Sequence, residues 1–468
     1  MALARTHATD PDRPIDVAVF SAGILGTVIR PDDPAYEEAR QVHNRAYDKR
    51  PALIVRVGSS ADVARTILFA RAHDLEIAVR GGSHSLAGHS TTDGGVVIDM
   101  SAMKGLHIDP ERRLAWAQAG LTAGEFTVAA GAHGLATPFG DTGNVGIGGI
   151  TLGGGIGFLV RKHGLSIDAL VSVDVVTADG RLVTASEKEN ADLFWAIRGG
   201  GGNFGVITRL QFRLYPVDTV LGGMLLLPAT REVLRSLVPI AASAPEELST
   251  IAFIMAAPPA PFVPAEAQGK LAFGIIFVYA GDPEAGQAAI APFRAVATPI
   301  AEVVAPMPYP GIYGLTEGAG QPGPSASRSL FLDALDDAAI DTILEHTAAP
   351  SSPQAMTQIR ILGGAMARVS PTATAFAHRD ANVMIALITP FADPAEAPVH
   401  EAWTQAYFEA LRPGARGVYS NFLADEGTDR VREAYPGLTY QRLSFVKRTY
   451  DPTNVFHLNQ NIRPALES

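Results

Sequence analysis

Arg80–Gly81–Gly82–Ser83–His84–Ser85 follows directly on a short apolar run, Ile77–Ala78–Val79. Glycines let a backbone adopt positive φ and approach a ligand closely, so such a turn can offer several N–H groups to a phosphate. A histidine held there lies within reach of whatever that phosphate belongs to. The same six residues also read as a tight turn with an incidental surface histidine. The rest of the chain decides between the two.

At 468 residues the chain exceeds one ordinary core, and two domains are expected. Its composition, 47% hydrophobic and 18% charged, is that of a globular chain. No apolar run reaches the roughly 18 to 20 residues of a membrane span. The segment Val17–Ile29 is short, glycine-interrupted and preceded by Asp10, Asp12 and Asp16. It lacks the basic start of a signal peptide and reads as ordinary structure. A net charge of −11, spread rather than clustered, argues against nucleic acid and anionic membrane as partners. The absence of cysteine excludes disulfides, thiolate metal sites and cysteine nucleophiles. With no export signal the cytoplasm is the expected location, and the chain is expected to be a monomer or small homo-oligomer. His84 and His89 are five apart with no third ligand in sight, so no metal site is expected.

The 46 glycines cluster at 81–95, 140–157 and 199–205, all in the first half, whereas Ala257–Pro264 and Met307–Pro324 are proline-rich. From Pro51 the pattern is strand (Ala52–Arg56), helix (Ser60–His73, with Val63, Ile67, Leu68 and Ala70 at helical spacing) and strand (Ile77–Arg80). Val96–Met100 and Leu114–Ala119 read as further strands and Leu121–Gly134 as a helix. Val171–Ser186 reads as a hairpin turning at Asp179–Gly180. Asn190–Trp195 starts a helix, and Gly205–Tyr215 alternates like a strand. Beyond Pro216 strand-like runs at Ser249–Ala256, Lys270–Tyr279, Met356–Leu362 and Ala381–Thr389 alternate with helical stretches. This pattern predicts an antiparallel sheet with helices on one face. From about Val418 the tail reads as loop and short helix. The Met307–Pro324 loop, with Tyr309 and Tyr313, is expected to rim the pocket. The three tryptophans, Trp116, Trp195 and Trp403, form no obvious sugar platform.

Gly200, Gly202 and Gly205 satisfy the spacing of a dinucleotide fingerprint. A helix precedes them and a strand follows, the reverse of what places a helix N-terminus against a pyrophosphate. A Rossmann NAD site is therefore set aside.

Several motifs occur together: Arg80–His84; Val145–Gly149 with Leu152–Gly157; Asp192–Arg198 with Gly199–Gly205; Tyr419–Ser420–Asn421; and Tyr450–Phe456. Their order and spacing resemble the berberine-bridge-enzyme-like FAD-linked oxidases of the vanillyl-alcohol-oxidase (PCMH-type) flavoprotein superfamily. The resemblance runs from about Arg30 to Pro464 and is weakest in the middle. It implies an α+β, two-domain PCMH-type FAD-binding fold. Residues 1–216 would form the FAD-binding domain, 217–415 an antiparallel-sheet substrate domain roofing the flavin, and 416–468 a return to the FAD-binding domain.

Carried over residue by residue, the resemblance implies a covalent link from the His84 imidazole to the flavin 8α-methyl carbon. The backbone amides of Gly81, Gly82, Ser83 and Ser85 would hold the pyrophosphate, with Arg80 and Gly88 also in the cofactor-binding set. Thr142, Val145, Gly146, Gly149, Leu152, Gly153, Gly154 and Gly157 would run beside the isoalloxazine and ribityl chain. Asn203 through Ile207, with Gly205 and Val206, would approach the adenosine, and Tyr419, Asn421, Asn459 and Asn461 complete the cofactor set. Two departures stand out. Thr142 occupies the position of a second, cysteinyl link, and Ile150 replaces a histidine that often follows the glycine pair. Both changes imply a lower reduction potential than in doubly linked relatives. Val145 stands where the family gates oxygen access to flavin C4a, and valine there goes with oxidases.

Flavin oxidations take a hydride onto N5 while a base removes a proton. In the family pattern Tyr419 of Tyr-x-Asn is that base. A free tyrosine titrates near 10 and needs a cation or strong hydrogen bond to serve at neutral pH. Gln358 and Arg360 lie two apart in a predicted strand, hence on one face, and are candidate activators; a solvated polar face is the alternative. His378–Arg379 reads as structural support. The function implied is an oxidase acting on an alcohol, sugar or amine carbon of a small molecule, reoxidised by O2 to give H2O2. The alternatives are a dehydrogenase with another acceptor and a flavin-holding protein with little turnover.

Overall fold

The computed structural model describes residues 17–316 and 321–466; Asp10, Asp12, Asp16 and positions 317–320 of the proline-rich stretch lie outside them. A small sheet orders its strands Thr27–Ile29, Leu53–Arg56, Val96–Asp99 and Ile77–Arg80. The last three are mutually parallel. The helix Ser60–Ala72 connects two of them, and its first turn is capped by Ser59, whose hydroxyl accepts from the Asp62 N–H at 3.2 Å. A five-stranded antiparallel sheet follows, in the order Leu106–Asp109, Leu114–Gln118, Val206–Arg213, Leu170–Val176, Leu182–Ser186. Its expected hairpin turns at Gly180, where φ is +79°. Both sheets share one core, in which Val55, Ile67, Ile98, Ala117, Val175 and Leu210 are all buried.

An eight-stranded antiparallel sheet occupies the middle of the chain, from Thr219–Pro228 to Ala415–Gly417. Successive side chains of a strand point to opposite faces, and here the two faces have different covers. Ala252, Ile254, Ile359, Ile361 and Ile385 pack under residues of the helices Arg231–Ser243, Pro283–Arg294, Asp337–Ala348 and Ala397–Leu411. Ile251, Phe253 and Ile276 instead pack with Phe158 and Leu159 of the first half. Phe331, Met384 and Ala386 pack with Ile156, Phe376 and Tyr419. The architecture is α+β, with the sheet's helix-free face turned to the glycine-rich loops.

Two expectations need correction. Met307 and Pro308 end the edge strand Ala301–Pro308, and Tyr309–Leu315 is a 3-10 helix rather than a loop. Tyr309 is fully buried, and the Tyr313 hydroxyl shares a hydrogen bond with Thr127 Oγ1 at 3.2 Å. Neither tyrosine lines the large cavity; burial also pushes both phenols up. The tail, moreover, contains a substantial helix, Leu438–Tyr450.

That helix carries a buried ion pair. The Lys447 ammonium donates to Asp451 Oδ2 at 2.7 Å, to the Asn203 carbonyl at 2.7 Å and to the Phe456 carbonyl at 2.8 Å. Asp451 also accepts from the Val455 and Phe456 N–H groups at 2.8 and 2.9 Å. The Asp451–Phe456 motif is thus an anchor that fastens the tail to the glycine loop at Asn203. Lys447→Met would leave the Asp451 carboxylate buried without its cation, which costs about 3–5 kcal/mol. Its urea unfolding midpoint should fall accordingly; an unchanged midpoint would contradict the anchor role.

Candidate active site

Three glycine-rich loops and the tail enclose a cavity of about 360 Å³. Gly81, Gly82, Ser83, His84 and Ser85 form one part of its wall, and Asp141, Thr142, Val145, Gly146, Gly149, Ile150 and Leu152 another. Gly201, Asn203, Gly205, Val206 and Ile207 complete it with Asn421 and Asn459. The first two loops meet at Gly82 and Gly146. A Cβ on either would fall well inside contact distance of the other's backbone nitrogen. Only glycine allows this approach.

Ser83 sits in the left-handed region at φ +64°. Among the described residues, the N–H groups of Gly82, Ser83 and His84 have no acceptor within the protein. Successive free N–H groups around a left-handed residue make an anion-binding concavity. Gly149, Gly201 and Gly202 open onto space where a side chain would intrude, and Asn459 Oδ1 is buried without a partner. Unbonded donors, vacated side-chain volume and a spare acceptor fit an extended phosphate-bearing cofactor such as FAD. Among the described residues no group of acidic or histidine side chains is placed to hold a metal ion. No helix among them is long and apolar enough to cross a membrane.

His84 lies on this wall with its pKa pushed down to about 4, chiefly by burial and next by the neighbouring His43. A hydrogen bond with Asn144 opposes the shift. The imidazole is therefore neutral around pH 7 and keeps a free lone pair. His43, in an unstructured stretch with no motif, stacks on it with ring centroids 3.9 Å apart. Sequence reasoning missed it.

Tyr419 is fully buried beside this cavity rather than on its wall. Its oxygen accepts from the Gly155 N–H and from Asn421 Nδ2, both at 2.8 Å. Asn421 Nδ2 also donates to the Ile150 carbonyl at 2.9 Å, which ties the Tyr-x-Asn motif to the glycine loop. Burial pushes the phenol up to about 12, outweighing both hydrogen bonds; nearby Arg360 lowers it least among the influences. Gln358 and Arg360 do share a strand face, but Arg360 is not a free activator. Its guanidinium pairs with Asp141 Oδ2 at 2.6 Å and donates to Gln358 Oε1 at 3.0 Å. Asp141, unremarked in the sequence, spends that charge and joins the cavity wall to the sheet.

Other expected residues have different neighbours. The buried Arg80 guanidinium donates to the Ala39 carbonyl, and Gly88 packs on the Tyr47 ring. A Cβ on Gly153 would meet Asn421, one on Gly154 would crowd Phe376 and Tyr419, and one on Gly157 would strike the Phe139 carbonyl. These glycines are demanded by packing and do not line the large cavity. Asn461 lines a second cavity beside it, of about 350 Å³. His378 Nε2 meets the Glu433 carbonyl at 2.9 Å, and the buried Arg379 grips Asp168 at 2.7 and 2.8 Å. Both are bonded to other parts of the chain. Gly200, Gly202 and Gly205 do lie between the helix Ala191–Ile197 and the strand Val206–Arg213, the inverted order.

A turn of unbonded N–H groups, a neutral histidine beside it and a buried tyrosine at the far loop suit a flavoprotein oxidoreductase. Residues 51–186 match the family described as FAD binding domain, and residues 418–463 match the family described as berberine and berberine like. An FAD-linked oxidoreductase of Bacillus subtilis (strain 168) is 32% identical, covering 95% of this chain and 98% of that protein. The (R)-6-hydroxynicotine oxidase of Paenarthrobacter nicotinovorans is 30% identical over 94% of this chain and 97% of its own. The crystal structure of 6-hydroxy-D-nicotine oxidase from Arthrobacter nicotinovorans superposes with a TM-score of 0.85 at 27% identity, covering 97% of this chain and 100% of that one. The chain belongs to the berberine-like family of FAD-linked oxidases and has its PCMH-type FAD-binding fold.

The Gly82–Gly146 contact generates a prediction. Gly146→Ala should force the two loops apart and lower the flavin content of the purified protein severalfold while far-UV circular dichroism stays unchanged. Full flavin occupancy in this variant would show that the close approach is dispensable.

Proposed function

We propose that this chain is an oxidase that carries FAD on a single bond to His84 and oxidises an uncharged alcohol or amine, with Tyr419 receiving the substrate proton. The observation that carries this reading is His84: a neutral imidazole on a cavity wall, immediately beside a turn of unbonded N–H groups. A covalent bond needs a nitrogen lone pair, which protonation would remove. With no cysteine in the chain, a second thioether link is impossible.

Bound FAD would supply a hydride acceptor, and the protein's part is to bind, orient and move a proton. The Gly81–Ser85 turn would hold the pyrophosphate, and Val206 and Ile207 the adenosine side. Two N–H donors fix the Tyr419 oxygen at the position where the proton arrives. The sheet face above offers Met384 and Ala386 beside Arg360 and Gln358, and the guanidinium is already neutralised by Asp141. This favours an uncharged substrate over an acid. Val145, half-buried on the wall, leaves one methyl less than leucine in the loop, which supports O2 as the acceptor.

Two experiments test this. Acid-precipitated wild-type protein should stay yellow, whereas His84→Ala should release its flavin; wild type that loses all its colour in acid contradicts the link. In anaerobic stopped flow with a reducing alcohol or amine, Tyr419→Phe should slow flavin bleaching roughly a hundredfold or more, the usual worth of a positioned proton acceptor. Because a raised pKa leaves the deprotonated form scarce, wild-type bleaching should accelerate as pH rises from 7 to 10. A plateau below pH 8, or a Phe variant as fast as the parent, would assign the proton elsewhere. Air admitted afterwards should restore the colour and release H2O2.

A further inference from the structure

His43 and His84 lie nearly face to face, their ring centroids 3.9 Å apart and their planes 26° from parallel. His84 forms part of the cavity wall and His43 does not, so His43 backs the imidazole from the protein side. The stretch carrying His43 has no regular structure of its own and is held by its ends. The His43 N–H donates to the Ser83 carbonyl at 3.1 Å, inside the same turn as His84. The His43 carbonyl accepts from the Gly323 N–H at 3.1 Å. Asn44 Nδ2 donates to the Ser325 carbonyl at 3.1 Å. The segment is strung between the phosphate-binding turn and the first residue of the strand Ser325–Leu332. Nothing in the proposed oxidation of substrate uses it.

We infer that His43 is a positioning residue for flavin attachment, its ring fixing the His84 imidazole in the orientation that presents a ring nitrogen to the flavin methyl carbon. This rests on the reading that His84 carries the flavin. Attachment joins that nitrogen to the methyl carbon with loss of one methyl C–H and the imidazole N–H. The two protons and two electrons released pass through the flavin ring to O2, giving H2O2, so the step balances with oxygen as oxidant. An imidazole N–H lies in the plane of its ring, so two stacked rings cannot share an N–H···N hydrogen bond. His43 therefore does not take the proton; it restricts rotation. Stacking of flat rings favours one orientation, and the His43 N–H bonded to the Ser83 carbonyl fixes the two rings' backbones against each other. Burial chiefly keeps His84 neutral, and two imidazolium rings at this separation would also repel.

The test uses full-length parent, His43→Ala and His43→Phe, each prepared flavin-depleted and incubated with FAD in air. Acid-stable flavin is followed over time, and reversible FAD binding is read separately by fluorescence quenching. His43→Ala should bind FAD within about twofold of the parent but attach it about tenfold more slowly, the scale of a loosened attack geometry. His43→Phe keeps a flat ring and has no ring nitrogen, and it should attach flavin within about threefold of the parent. Attachment at the parental rate in His43→Ala would overturn the inference. So would a His43→Phe as slow as His43→Ala, which would give the role to a ring nitrogen, or loss of reversible FAD binding in both variants. A parent with no acid-stable flavin would overturn the His84 link itself, a result distinct from any of these.

Discussion

Gly82 and Gly146 meet backbone to backbone, and neither has room for a Cβ. One loop is held by the strand Ile77–Arg80, from whose end it turns. The other is held against the start of the helix Ala123–Gly131: the Ala123 N–H donates to the Val145 carbonyl at 2.8 Å, and the Ile147 N–H to the Leu121 carbonyl at 2.9 Å. Pressing the two together brings His84 within the same cavity as Val145, Gly149 and Ile150. The contact replaces side-chain packing with backbone proximity, which leaves N–H groups at the surface of the cavity instead of methyl groups. A cavity wall of polar donors thus follows from a steric constraint.

Three ties hold other parts of the chain onto this pair of loops. The tail is fixed at Asn203, whose side chain donates to the Gly200 and Gln460 carbonyls and accepts from the Ile462 N–H, with Lys447 below. The eight-stranded sheet is fixed by Arg360 on Asp141 and by Arg379 on Asp168. The His43 stretch links the turn to the strand at Ser325. All three use charged or polar groups that are wholly or largely removed from water. Removing one partner of such a pair costs far more than an exposed pair is worth. The distribution suits a site made from distant segments, because a buried polar tie fails unless its geometry is kept.

Strands and helices with clear periodicity were legible before the structure, as Ile77–Arg80, Ser60–Ala72 and Leu271–Tyr279 illustrate. So were the glycine loops, because a glycine cluster reports a local backbone requirement. What could not be read was any contact between distant segments that carries no local signature. Asp141 is an ordinary acidic residue in a loop until the sheet places Arg360 above it. His43 is an isolated histidine until its carbonyl is bonded to Gly323. Tyr309 and Tyr313 differ for the opposite reason: proline-rich text suggests a loop, but the 3-10 helix there buries Tyr309 fully and leaves Tyr313 half-buried against Thr127. Glycines 153, 154 and 157 belonged to the right motif, yet their neighbours are Asn421, Tyr419 and the Phe139 carbonyl rather than open space.

Burial acts on His84 and Tyr419 with opposite consequences for the roles proposed for them. Desolvation disfavours the charged form of any side chain, so it lowers His84 to about 4 and raises Tyr419 to about 12. For a nucleophilic imidazole the shift is useful, since the neutral ring is the reactive one. For a tyrosine that must receive a proton it is adverse, since the phenolate is made scarce. The Gly155 N–H and Asn421 Nδ2 partly counter this by donating to the oxygen. The Arg360 charge, already shared with Asp141, adds least. On the proposed reading, the Tyr419 hydroxyl must therefore give up its own proton before it can receive one from the substrate, so the rate follows the small phenolate fraction. The two donors hold that oxygen in place and favour its charged form over the neutral one, which enlarges the reactive fraction.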